Sequence, residues 1–233
     1  MRTSLQVHHH SSAEELDLAL ARFVATRLSE ALIAWGEASL VVSGGRTPTG
    51  FFEQLARQPL DWSGINVTLA DERWVGEDDE QSNARLVRQH LLQGPAAAAR
   101  FIPLYHPAAT PQDSAAAACE ALAPLDDAFD VVVLGMGEDG HTASLFPGSP
   151  QLDAALHDTG KPCLAVEASK PPRDRLTLTA ARLRHAHHIV LHVTGQAKWR
   201  VLGTALASGP MTEYPVRALI QHEHPSRHVF WTA

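Results

Sequence analysis

Apolar positions in this chain follow two rhythms. Leu16, Leu20, Phe23, Val24, Leu28, Ala31 and Leu32 recur at three- and four-residue intervals, the spacing that gathers side chains on one face of a helix. Ser11 and Ser12 followed by Glu14 and Glu15 form a start signal for that helix, and Gly36 is its stop. The second rhythm is short and unbroken. Residues 40–42, 65–70, 131–134, 163–166, 176–178, 189–193 and 228–231 read as strands, with helical periods over 48–55, 83–92, 111–122 and 196–206. Apolar runs alternating with helical periods predict an α/β fold: a mostly parallel, Rossmann-like central sheet with helices on both faces. In such sheets ligands bind beyond the carboxyl ends of the strands. The residues of unusual chemistry fall at those ends.

The chain has 233 residues, 45% of them hydrophobic, enough for one full core, and a single domain over 1–233 is expected. Residues 1–12 are expected to be a flexible lead-in. They lack the charged-then-apolar layout of a secretory signal, and His8, His9 and His10 read as polar lead-in or tag remnant. No run of about 18 apolar residues occurs, so no membrane partner is expected. The net charge of −7 argues against nucleic acid and leaves anion binding to locally placed Arg, Lys and backbone N–H groups. Cys119 and Cys163 form neither a Cys-x-x-Cys pair nor a disulfide framework, and read as structural thiols in a reducing cytosol. The stretches around Gly94 and Pro171 read as surface loops.

Five stretches carry candidate chemistry. In the first, the run from Val41 leads into Ser43-Gly44-Gly45-Arg46-Thr47-Pro48 and a helix. Two glycines let backbone N–H groups approach an anion, and a helix start adds positive potential; an ordinary tight turn fits the same residues. In the second, Asp71-Glu72-Arg73 follows a strand, with Ser82-Asn83 downstream to cap the next helix. Carboxylates accept from sugar hydroxyls and Arg pairs with phosphate oxygens, although a solvated loop would look alike.

The third runs from Asp130 to Gly148 and contains Gly135-Met136-Gly137-Glu138-Asp139-Gly140-His141. Its glycines imitate a dinucleotide fingerprint, but Pro147, Gly148 and Pro150 arrive too soon for the long helix that fingerprint needs. A histidine on a glycine-flanked loop beside a carboxylate suits proton transfer instead. Arg175-Leu176-Thr177-Leu178-Thr179 and Gly195-Gln196-Ala197-Lys198 each add one cation, for which a surface charge is the plain alternative. Metal binding is set aside: strand alternation turns His187 away from His188 and His192, and no His-Glu-x-x-His occurs. No Gly-x-Ser-x-Gly elbow supports a serine hydrolase.

Taken in order along essentially the whole chain, these stretches resemble the 6-phosphogluconolactonase family. The run Gly135 to Gly148 is the most specific of them. The resemblance implies a fold shared with glucosamine-6-phosphate deaminases and ribose-5-phosphate isomerases, and no cofactor. It also implies a sugar-phosphate lactone as substrate and a monomer or small homo-oligomer. His141 would be the general base with Asp139 beside it. Gly44, Gly45, Thr47, Arg73 and Lys198 would contact the phosphate, with Ser43, Asp71, Arg46 and Arg175 completing the substrate site. The family often has Ser where this chain has Arg46, which leaves that residue either on the phosphate or in solvent.

Deaminase relatives are the main alternative, and they read Asp-Gly-His-Ile-Ala-Phe-Asn-Glu-Pro. Their relay glutamate falls on Phe146 here, which removes the proton relay and favours the lactonase reading. A sugar-phosphate-binding module without catalysis is a further alternative, against which Asp139 and His141 stand.

Overall fold

The computed structural model describes residues 5–125, 127–157, 159–222 and 226–233. Among the described residues the strands are β1 (Gln6–His9), β2 (Ala38–Val42), β3 (Ile65–Leu69), β4 (Asp71–Arg73), β5 (Arg100–Ile102), β6 (Phe129–Leu134), β7 (Cys163–Glu167), β8 (Asp174–Leu178), β9 (Ala186–Thr194) and β10 (Arg227–Thr232). The helices are α1 (Ala13–Trp35), α2 (Thr49–Ala56), α3 (Asn83–His90), α4 (Pro111–Ala121), α5 (Leu152–Leu156), α6 (Ala180–Arg184), α7 (Gln196–Leu206) and α8 (Arg217–Ile220). Seven strands form one parallel sheet in the order β1-β10-β9-β6-β2-β3-β5. Strand order reverses between β2 and β6, and such a switch point opens a crevice at the carboxyl ends.

Alternation along β10 shows how the sheet is covered on both sides. Phe230 packs on Phe23 of α1, while its neighbour Trp231 stacks on Trp199 of α7, so the two helices lie on opposite faces. α1 is held at both ends. The Ser12 hydroxyl accepts from the Glu15 N–H, the Glu15 carboxylate accepts from Ser11, and Gly36 ends the helix at φ 81°. Its fully buried leucines, Leu16, Leu20 and Leu28, each stabilise the core by roughly 1.5–3 kcal/mol.

Two expectations need correction. The lead-in is not a flexible tail: residues 6–9 form an edge strand pairing in parallel with β10, and the His8 ring stacks on Phe230. Residues 1–4 of the lead-in lie outside the described residues. The strands read at 163–166 and 176–178 do not extend the main sheet. They are β7 and β8, which with β4 make a separate antiparallel sheet in the order β4-β8-β7. Unbroken apolar runs do not distinguish a central parallel strand from one buried between a small sheet and a helix, and α4 packs against this one.

The β1–β10 seam carries a histidine cluster. His8 Nε2 and His228 Nδ1 are 3.1 Å apart, and the Ser226 hydroxyl lies 2.8 Å from His228 Nε2. Burial, then the neighbouring His8, His188 and Arg27, push the His228 imidazole down to about 4. The unfolded chain therefore takes up a proton near pH 6.5 that the native fold refuses until about pH 4. Stability contributed here is present above pH 6.5 and lost as pH falls towards 4. The urea midpoint is expected to drop across that interval, and to drop less in His228→Gln. Parallel acid limbs for the two proteins would show that His228 has no part in it.

Candidate active site

The loops that leave β2 and β6, neighbours at the switch point, face each other across a cleft of about 510 Å³. It collects the sequence-predicted residues into one place: Ser43, Gly44, Gly45, Arg46, Thr47, Asp71, Arg73, Asp139, His141, Arg175 and Lys198 all line it. From β2 comes the turn 43–48, tied to β6 by the Ser43 N–H donating to the Val133 carbonyl at 3.1 Å. Gly45 has φ +96°, a left-handed conformation that favours glycine, and α2 begins at Thr49. Backbone N–H groups of a turn opening a helix favour an anion.

From β6 comes the loop that presents the histidine. His141 Nδ1 lies 2.5 Å from Asp139 Oδ1, and the His141 backbone N–H donates to the same oxygen at 3.2 Å. Burial alone pushes the Asp139 carboxyl up, but the hydrogen bond and charge of His141 outweigh it and hold it below the usual carboxylate range. An ionised Asp139 accepting from Nδ1–H leaves Nε2 with its lone pair free. Gly137 makes this pairing fit, because a methyl group there would overlap both the His141 ring and the Asp139 carboxylate. No long helix starts at these glycines; turns continue until α5.

The wall opposite is the small antiparallel sheet. Arg73 of β4 and Arg175 of β8 are paired directly across the ladder, and both face the cleft. Like charges set opposite one another are unfavourable unless an anion lies between them. Burial and then Arg73 lower the Arg175 guanidinium below its ordinary value. Arg175 is not a surface charge: it is buried, donates through Nε to the Pro172 carbonyl at 2.9 Å, and lies over the Phe146 ring. That ring is 4.7 Å from the His141 ring. Asp71 is also buried, and its Oδ2 accepts from the Ser144 hydroxyl at 2.6 Å.

Glu72 departs from the reading of a ligand-binding charge triplet. It is fully buried and turned away from the cleft, accepting from the N–H groups of Arg73, Asn83 and Ala84 and from the Ser82 hydroxyl. Alternation along β4 sends Asp71 and Arg73 to one side and Glu72 to the other. The cleft also includes residues the sequence reading missed: Asn83, Ser169, Lys170 and His192. Ser169 and Lys170 stand just before Pro171-Pro172 in the β7–β8 loop, so a turn signal directly after a strand marked them. His192 enters the sequence reading only with His187 and His188 as a metal ligand, which is set aside. Among the described residues, no group of three or more His, Cys, Asp or Glu is placed to hold a metal.

The model of the family described as glucosamine-6-phosphate isomerases/6-phosphogluconolactonase matches residues 11–231. This chain belongs to that family. A 6-phosphogluconolactonase of Pseudomonas aeruginosa is 52% identical over 211 residues, 90% of this chain and 89% of that protein. One from Rhizobium meliloti is 45% identical over 229 residues, 98% of this chain and 99% of its own. The crystal structure of a Shewanella baltica 6-phosphogluconolactonase superposes with a TM-score of 0.94 at 41% identity, covering all of both chains. A monomeric glucosamine-6-phosphate deaminase has the same fold, with a TM-score of 0.79 at 21% identity over 98% of this chain and 97% of its own.

Proposed function

We propose that this cleft hydrolyses 6-phospho-D-glucono-1,5-lactone to 6-phosphogluconate, with His141 activating water. The observation that carries the reading is the Asp139–His141 pair lining one cleft together with Arg73, Arg175 and Lys198. The reacting proton site and the anion-binding groups belong to different loops of a single crevice. Similarity to lactonases along nearly the whole chain supports the same substrate.

The phosphate sits against the Gly44-Gly45 turn, Thr47, Arg73 and Lys198, while Asp71 uses the oxygen not bound to Ser144 to accept from a sugar hydroxyl. His141 Nε2 takes a proton from water, and the oxygen of that water forms a bond to C1. The carbonyl electron pair moves onto its oxygen, at the end of the cleft where Arg175 lies over Phe146 and supplies positive charge. Collapse of that intermediate breaks the bond from C1 to the ring oxygen, which receives the proton from the His141 imidazolium. The product acid then ionises. Phe146 occupies the place of the deaminase relay glutamate and packs on His141, so ring-opening isomerisation lacks its carboxylate there.

The test is acid release from freshly generated 6-phosphogluconolactone, with glucosamine 6-phosphate as control substrate. Release of acid from the lactone without ammonia from the amino sugar is expected, and the converse pattern would overturn the reading in favour of a deaminase. In the same assay Lys198→Ala is expected to raise KM roughly tenfold or more, since a hydrogen bond to a charged group contributes about 1.5–3 kcal/mol. An unchanged KM would remove Lys198 from the phosphate site.

A further inference from the structure

His192 has no partner equal to its burial. It sits on β9 among apolar neighbours and is only 3% exposed, yet it lines the cleft. Neither ring nitrogen makes a hydrogen bond within the described residues. A buried polar group is ordinarily paired, because leaving it unpaired costs free energy. Asp17 of α1 places its Oδ1 3.4 Å from His192 Nε2, without the geometry of a hydrogen bond. Asp17 in turn lies so close to Gly50, in the first turn of α2, that a methyl group there would overlap its carboxylate. The Phe51 ring meets the imidazole edge-on at 6.1 Å, and Lys198 is close enough to disfavour its charged form.

The surroundings say what the missing partner is. His192 lines the same cleft as the turn 43–48 and Lys198, so the groups it shares that space with are an N–H-rich turn that opens α2 and an ammonium. Each of these is complementary to an anion with several acceptor oxygens. We propose that His192 is a phosphate-binding residue, donating its one ring N–H to a phosphate oxygen from the wall of the cleft. A neutral imidazole suits this place, since it offers a donor without adding a second buried cation beside Lys198. Burial, and then Lys198, keep the ring neutral by pushing it down to about 4. The inference rests on the reading that the Gly44-Gly45 turn and Lys198 hold phosphate.

The experiment compares His192→Leu, His192→Asn and Lys198→Ala with the parent, using inorganic phosphate and 6-phosphogluconate as competitive inhibitors of lactone hydrolysis. His192→Leu is expected to weaken both inhibitors by roughly tenfold to a hundredfold. KM for the phosphorylated lactone should rise more than kcat falls. His192→Asn keeps an N–H donor and is expected to recover a large part of the affinity, which a role confined to core packing would not produce. Thermal melts of both variants identify any that fail to fold, and the asparagine variant then carries the comparison. Inhibition constants unchanged in His192→Leu, with Lys198→Ala weakened, would overturn the role of His192 alone. Constants unchanged in Lys198→Ala as well would overturn the phosphate reading itself. Equal losses in the leucine and asparagine variants would assign His192 to packing.

Discussion

Replacing His141 with alanine is expected to lower kcat by about 10²–10⁴-fold, the usual worth of a positioned general acid–base group. Binding of 6-phosphogluconate should change little, because the phosphate contacts come from other loops. The size of the effect follows from the geometry. Asp139 Oδ1 takes both the backbone N–H and Nδ1 of residue 141, which fixes the ring and leaves Nε2 towards the cleft. Asp139→Asn should also lower kcat, since an amide presented to Nδ1 no longer enforces the tautomer that leaves Nε2 unprotonated. Its loss should be smaller than that of His141→Ala, which removes the base itself. Initial rates and product affinity measured on the three proteins check this. Parental kcat in His141→Ala would remove this imidazole from the chemistry.

Much of the cleft was legible because its residues stand at element ends, where sequence and geometry are locally coupled. Gly44-Gly45 follows β2, Asp139-Gly140-His141 follows β6, and Lys198 opens α7, so placing the strands placed the chemistry. The strand cores, α1 and α7 were readable for the same reason: long or unbroken apolar patterns leave few choices. What escaped depended on partners far away in sequence. Residues 6–9 become a strand only because β10 offers an unpaired edge more than two hundred positions later. The antiparallel sheet exists because Asp71–Arg73 meets Arg175–Thr177, a pairing that no local pattern encodes. Short helices such as α5 and α6 carry too few turns to show a period. The histidines near His192 in sequence say nothing of its surroundings in space, where Asp17 and Lys198 lie.

The same distinction governs Glu72, whose chemistry serves the fold instead of the ligand. Its carboxylate gathers the N–H groups of Arg73, Asn83 and Ala84, at 2.7 Å each, and the Ser82 hydroxyl at 3.2 Å. Two of these are the opening N–H groups of α3, which have no partner within the helix. Burial pushes the Glu72 carboxyl up to about 7 against the pull of the three backbone donors, so its position is costly and is retained for what it organises. Glu72→Ala leaves three backbone donors unmatched in the interior and is expected to cost about 3–5 kcal/mol in urea unfolding. The Asn83 side chain, which donates to the Asp71 carbonyl at 2.8 Å, would lose its anchor, and Arg73 would lose the constraint on its backbone. A rise in KM should therefore accompany the lost stability, although Glu72 never reaches the cleft. Adding phosphate should recover part of the stability in proportion to whatever affinity remains. A variant as resistant to urea as the parent would mean that water or another acceptor serves these N–H groups, and that Glu72 does not hold β4 to α3.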